Sequence, residues 1–192
     1  MVLFEFIKNE VVILKKKTSD RTLKIIIAAM FSAMIAVLTA FLQIKTPTGG
    51  YVHLGDAVIY ITACFLPMPY AVAASAIGGG IADLLVYPET LIYTVIIKAV
   101  NALFFSSKSE KILTKRNALM VIPSGLVTII GYSLSKFIRV MLAGGNIQSA
   151  LADALWKMPE NSIQALCSAA AFIIIALTFD KAGIKRRMLR DM

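Results

Sequence analysis

Leu23-Lys24-Ile25-Ile26-Ile27-Ala28-Ala29-Met30-Phe31-Ser32-Ala33-Met34-Ile35-Ala36-Val37-Leu38-Thr39-Ala40-Phe41-Leu42 carries a single charge, Lys24, at its very start. About 20 apolar residues in a helix match the hydrocarbon thickness of a bilayer, so this stretch reads as a membrane span. The rest of the chain agrees with it. Hydrophobic residues make up 58% and charged residues 16%, against roughly 45–50% and 25% in soluble domains, and the mean hydropathy is +0.78. A chain of 192 residues holds at most about six or seven such spans, which leaves no room for a sizeable extramembrane domain. With 2 Cys and 1 His there is neither a disulfide framework nor the ligand set of a structural zinc site, and no metal or other cofactor is expected.

Outward from that span, the chain alternates apolar blocks with breakers. Pro47 and Gly49-Gly50 end the first block in a polar loop, and a second, short block runs from about His53 to Leu66. Pro67-Met68-Pro69 then forces a reversal. Further spans are predicted at about Tyr70 to Val86, Leu91 to Phe105, Ala118 to Leu142 and Pro159 to Phe179, with Tyr87-Pro88-Glu89-Thr90 as a turn and Ala143 to Lys157 as a polar connection. The expectation is an all-α membrane protein, a compact bundle of six transmembrane helices. Residues 1–22 form a cytoplasmic extension without a signal-peptide pattern, 23–182 the substrate-binding bundle and 183–192 a basic tail.

The net charge of +9 is concentrated in three islands. Lys15, Lys16, Lys17, Arg21 and Lys24 precede the first span; Lys108, Lys111, Lys115 and Arg116 lie midway; Lys181, Lys185, Arg186, Arg187 and Arg190 close the chain. The connections on the opposite side hold only Lys45 and Lys157. Positive charge collects on the cytoplasmic side, so both termini are expected there, with the islands facing anionic lipid headgroups rather than nucleic acid.

Charges inside apolar runs carry the functional signal, because each costs about 2.5–3.5 kcal/mol at the bilayer centre on the insertion scale. Asp56, Asp83, Lys98, Lys136 and Arg139 are such groups. Thr94, Lys98 and Asn101 share one helical face, as do Tyr132, Lys136 and Arg139, and Glu160, Asn161 and Gln164 open the last span. Internal pairing, such as Asp83 with Lys98 or Glu160 with Arg139, accounts for single members of this set. An outward-facing polar pocket accounts for the set, with Lys98, Lys136, Arg139, Glu160, Asn161 and Gln164 as substrate contacts and Tyr93, Tyr132 and Trp156 as aromatic walls. Ala29, Ala33, Ala36 and Ala40 form a smooth stripe on the first span that allows close approach of another helix, either inside the bundle or from a partner. The chain has no phosphate-binding Gly-x-x-x-x-Gly-Lys loop and no His-Glu-x-x-His pair, and Gly131-Tyr132-Ser133-Leu134-Ser135 lacks the final glycine of a serine-nucleophile elbow, so an enzyme is not expected.

Several segments, in order and spacing, resemble the substrate-binding S components of energy-coupling factor (ECF) vitamin transporters. They are the Ala29-x-x-x-Ala33 stripe, Gly49-Gly50-Tyr51-Val52-His53-Leu54-Gly55-Asp56-Ala57, Gly78-Gly79-Gly80-Ile81-Ala82-Asp83-Leu84-Leu85 and Thr94-Val95-Ile96-Ile97-Lys98-Ala99. The likeness covers nearly the whole chain. It departs in the N-terminal extension and in Pro67-Met68-Pro69, where members often have Gly-Pro. The resemblance implies a multi-pass plasma-membrane protein of a prokaryote that holds one vitamin-like molecule near the outer face under a lid formed by the loop after span 1. It further implies that Ala29, Ala33 and Ala36 contact a membrane coupling subunit (T component) and that two ATPase subunits supply energy. The Gly49 to Gly55 region resembles S components for hydroxymethylpyrimidine or pyridoxine-like precursors, whereas Lys136 and Arg139 suit a carboxylate such as pantothenate. A stand-alone facilitator or a proton-coupled carrier using Asp83 and Lys98 as a relay, and a non-transporting scaffold, are the competing readings.

Overall fold

The computed structural model describes residues 2–46 and 51–191, with side chains for 20–46 and 51–187. Pro47, Gly49 and Gly50, part of the predicted first loop, lie outside the described residues, as do the side chains of the first basic island up to Lys17. The fold is all-α apart from one small hairpin. Its helices are α1 (Val2–Ala40), α2 (Gly55–Phe65), α3 (Met68–Val86), α4 (Leu91–Leu103), α5 (Lys115–Leu119), α6 (Val121–Leu142), α7 (Ile147–Ala182) and α8 (Ile184–Asp191). Strands β1 (Gln43–Lys45) and β2 (Tyr51–His53) pair antiparallel, Gln43 opposite His53 and Lys45 opposite Tyr51, and a 3-10 turn, Pro88–Thr90, leads into α4.

Four segments are long and apolar enough to cross a bilayer: Asp20–Ala40, Met68–Val86, Lys115–Leu142 and Ile147–Ala182. The predicted spans at His53 to Leu66 and Leu91 to Phe105 form α2 and α4, of 11 and 13 residues. At about 1.5 Å per residue these are shorter than the roughly 30 Å hydrocarbon core. Every residue of α2 is buried, so its apolar character serves the protein interior instead of lipid. Pro67 caps α3 and Pro69 lies in its first turn, where a missing N–H removes no helical bond.

Two expected boundaries fall differently. The lead-in before Leu23 continues the same helix, α1, as the first span. The connection predicted over Ala143 to Lys157 is reduced to Ala143–Asn146, because Asn146 caps α7 by accepting from the Ser149 N–H at 2.8 Å. The Ala- and Leu-rich segment that follows has high helix propensity, and the helix carries Pro159 in its interior.

The core is packed around α2, where Tyr60 stacks on Phe105 at 4.6 Å between ring centres and meets the edge of Phe172 at 5.8 Å. The glycine triplet of α3 explains how three helices come so close. A Cβ on Gly78 would lie 2.5 Å from the Ser32 carbonyl oxygen in α1, one on Gly79 would lie 2.7 Å from Lys98 Cγ, and one on Gly80 would lie 2.9 Å from Val95 Cγ2 in α4.

The helices α1, α2, α3, α4, α6 and α7 pass alternately between two ends of the bundle. One end carries the hairpin. At the other, the connection after α4 is fastened to α7 and α8: both Asp180 carboxylate oxygens accept from the Ile112 and Leu113 N–H groups at 2.8 and 2.9 Å, and Lys185 donates to the carbonyls of Ser107 and Ser109. The buried Asn117 ties this connection internally through both backbone groups of Ser106, each at 3.0 Å.

Candidate functional site

One side chain ties the hairpin to α7. The amide of Gln164 on α7 accepts from the His53 N–H at 2.8 Å and donates to the His53 carbonyl at 3.0 Å, so it pairs with β2 as a neighbouring strand would. His53 Nδ1 accepts from the Gly55 N–H at 3.0 Å, which joins the strand to the start of α2.

Tyr51, at the far end of β2, stacks on Tyr87 after α3, with ring centres 5.1 Å apart and planes 11° from parallel. Its hydroxyl donates to Asp83 Oδ1 at 3.2 Å, and the Thr90 hydroxyl lies 2.6 Å from Asp83 Oδ2. Burial first, and the Asp83 carboxylate second, push the Tyr51 phenol above its ordinary pKa, so it remains a donor.

Beneath the hairpin lies a cavity of about 240 Å³. Its wall combines Tyr51 and His53 of β2, Asp83 at the end of α3, Tyr87, Glu89 and Thr90 of the following turn, Tyr132, Ser135, Lys136 and Arg139 of α6, and Lys157, Glu160, Asn161 and Gln164 of α7. Lys136 pairs with Asp153 at 3.2 Å, Arg139 with Glu89 at 3.6 Å, and Lys157 with Glu160 at 3.1 Å. The pairing expected between Glu160 and Arg139 is therefore replaced by these, since Lys157 is one helical turn from Glu160. Asn161 donates to Ser133 Oγ at 3.2 Å and so links α7 to α6.

Of the residues selected from the sequence, Tyr132, Lys136, Arg139, Glu160, Asn161 and Gln164 come together on this wall. Lys98, Tyr93 and Trp156 do not. Lys98 is buried below the wall, where its ammonium pairs with Asp56 at 2.5 Å and lies 5.1 Å from the centre of the Tyr132 ring. The expected Asp83–Lys98 pair is not formed, because Asp56 on the central helix α2 takes the cation. Tyr93 precedes Thr94, and the rotation between successive helical residues turns it away while Thr94 meets the Tyr132 hydroxyl at 3.1 Å. Trp156 is 70% exposed on the outer side of α7. Tyr87, Glu89, Thr90 and Lys157 stand out in the sequence only as parts of turns and connections, and Tyr51 only within the Gly49 to Ala57 run that carries the family resemblance. For Tyr51 and Tyr87 the sequence signal is weak, an aromatic residue directly beside the breakers Gly49-Gly50 and Pro88.

The small-residue stripe divides. Ala29 and Ala33 are exposed, whereas Ala36 and Ala40 are buried. Ala36, expected as an outer contact, is instead buried: the i, i+4, i+7 spacing keeps the stripe on one face of α1, and that face is covered toward the C-terminal end of the helix. Among the described residues no cluster of three or more His, Cys, Asp or Glu is placed to hold a metal ion.

An apolar helical bundle with one polar and aromatic cavity at its end has the build of a membrane protein with a solute site. The family model described as ECF-type riboflavin transporter, S component, matches residues 19–181, and the chain belongs to that family. It is accordingly a membrane transport component, of a family that works with a small-molecule substrate, a coupling component and ATPase modules. No curated protein matches the chain.

Proposed function

We propose that this chain is the specificity subunit that captures a small flat heteroaromatic vitamin or precursor at the outer membrane face and surrenders it to an ATP-driven coupling complex. The observation that carries this reading is the cavity under the Tyr51–Tyr87 stack, walled by paired charges and closed by a hairpin that Gln164 ties to α7. Aromatic walls with a few convergent polar groups are what a planar, polar solute needs. In this reading all six alternating helices lie within the prokaryotic plasma membrane, both termini are cytoplasmic beside the basic islands, and the hairpin end faces outward. Residues 23–182 form the binding unit. A coupling subunit docks on the exposed Ala29 and Ala33, and two ATPases complete the complex.

A cavity of about 240 Å³ falls below the roughly 300–1,000 Å³ of sites for drug-sized ligands. That favours a one-ring molecule, of the hydroxymethylpyrimidine or pyridoxine kind, over a three-ring one. Riboflavin is the second reading, favoured by the family's description. Mass spectrometry of the small molecule that copurifies with the protein tests both. A one-ring vitamin precursor supports the first, riboflavin the second, and a purified protein that neither carries nor binds any such molecule removes the proposal.

A further inference from the structure

The three cations on the cavity wall are all engaged by carboxylates: Lys136 by Asp153, Arg139 by Glu89 and Lys157 by Glu160. Asp83 is different. It lines the same cavity, is 2% exposed, and has no cation within salt-bridge distance among the described residues. Residues 47–50, Pro-Thr-Gly-Gly, bring no charge to it. Its partners are two hydroxyls, Tyr51 at 3.2 Å and Thr90 at 2.6 Å. The Thr90 hydroxyl also lies 2.8 Å from the Tyr87 carbonyl, and its one proton serves only one of the two acceptors.

A carboxylate accepts about four hydrogen bonds, so among the described residues at least two acceptor sites of Asp83 have no donor, in a place shielded from bulk water. Burying a carboxylate with only neutral partners is costly, and a donor or cation supplied by the ligand removes that cost. The position is also suited to orientation, since the Tyr51–Tyr87 stack stands next to the carboxylate that Tyr51 contacts.

We infer that Asp83 selects ligands whose heteroaromatic ring carries an amino group or a protonated ring nitrogen, with those N–H groups turned onto its free oxygen lone pairs. The inference rests on the reading of the cavity as the substrate site and narrows the substrate class within it. It also gives Asp83 a task distinct from Gln164, which is spent on the hairpin backbone.

The test measures dissociation constants of the purified full chain in nanodiscs for 4-amino-5-hydroxymethyl-2-methylpyrimidine, for its analogue lacking the amino group, and for riboflavin. Hydrogen bonds to a charged group predict that the wild type prefers the amino compound by on the order of 10- to 100-fold. Asp83→Asn should erase that preference. Equal binding of both pyrimidines by the wild type overturns the inference, and this reading is available even if Asp83→Asn does not fold. So does a preference that survives in a folded Asp83→Asn protein, or loss of both pyrimidines in parallel, which marks Asp83 as a structural strut. Tight binding of riboflavin with neither pyrimidine bound overturns the inference while leaving the transport reading intact. Failure to bind any of the three, with no copurifying ligand, removes both.

Discussion

Gln164 and His53 are 111 positions apart, yet the side-chain amide of one is bonded to both backbone groups of the other, at 2.8 and 3.0 Å. The same amide nitrogen reaches Ser168 Oγ at 3.0 Å and Asp56 Oδ2 at 3.4 Å. Hairpin, central helix and α7 therefore meet at one residue that polar-pocket reasoning assigns to the substrate.

Gln164→Leu leaves the buried His53 N–H and carbonyl without their partner. The expected loss is about 1–3 kcal/mol of stability, read as a lower thermal midpoint in detergent, together with weaker ligand retention as the hairpin loosens. An unchanged midpoint would show that β2 is held by something other than this amide.

The Lys98–Asp56 pair is buried on both sides, at 1% and 0% exposure. Removing one partner leaves an uncompensated charge, and Lys98→Met should cost about 3–5 kcal/mol. Lys98→Met with Asp56→Leu should recover much of that loss, because replacing both members removes the desolvation burden as well. If the double variant is as unstable as the single one, the pair is needed for its bonds to Gln164 and Tyr132 and not for charge balance.

Gly78→Ala sets a methyl group 2.5 Å from the Ser32 backbone carbonyl and 2.9 Å from Ile35 Cβ. Backbone cannot swing aside as a side chain can, so α1 must shift. The expected cost is about 1–3 kcal/mol, measurable by chemical unfolding. A neutral substitution would mean that α1 slides freely over α3.

Much of this architecture was legible in the sequence because it rests on strong local signals. The end of the apolar run at Leu42, the breakers at Pro67 and Pro69, and the turn at Pro88 fall where helices begin or end in the structure, within a few residues. Length was harder to read. α2 is apolar because it is buried, and α7 runs through Pro159 because its Asn146 cap and Ala-rich first turns start the helix earlier. In the site, helical spacing brought out Tyr132, Lys136 and Arg139, which lie on one face of α6. It gave no sign that Asp56 would take Lys98, or that Tyr51 and Tyr87 would stack, since those are contacts between distant segments. Spacing also grouped Ala36 with Ala29 and Ala33 on one face, and gave no sign that this face becomes covered toward the end of α1.

The divided stripe makes its own prediction. Ala29→Trp and Ala33→Trp, on the exposed side, should leave folding and ligand affinity intact while blocking assembly with a coupling subunit, since a bulky group holds two helix faces apart. Ala36→Trp should overpack the α1 interior and lower stability by about 1–3 kcal/mol. Copurification with the coupling subunit, measured beside ligand affinity, separates these effects. Assembly unaffected by either exposed tryptophan would move the docking face elsewhere.

The most direct measurement of the central claim is uptake into proteoliposomes of a radiolabelled form of the copurifying ligand, by the chain alone and by the chain with its coupling subunit and ATPases. The account predicts high-affinity binding without transport by the chain alone, and accumulation only when the partners and ATP are present. Sustained ligand uptake by the chain alone, independent of ATP, would contradict it and make the protein a stand-alone carrier.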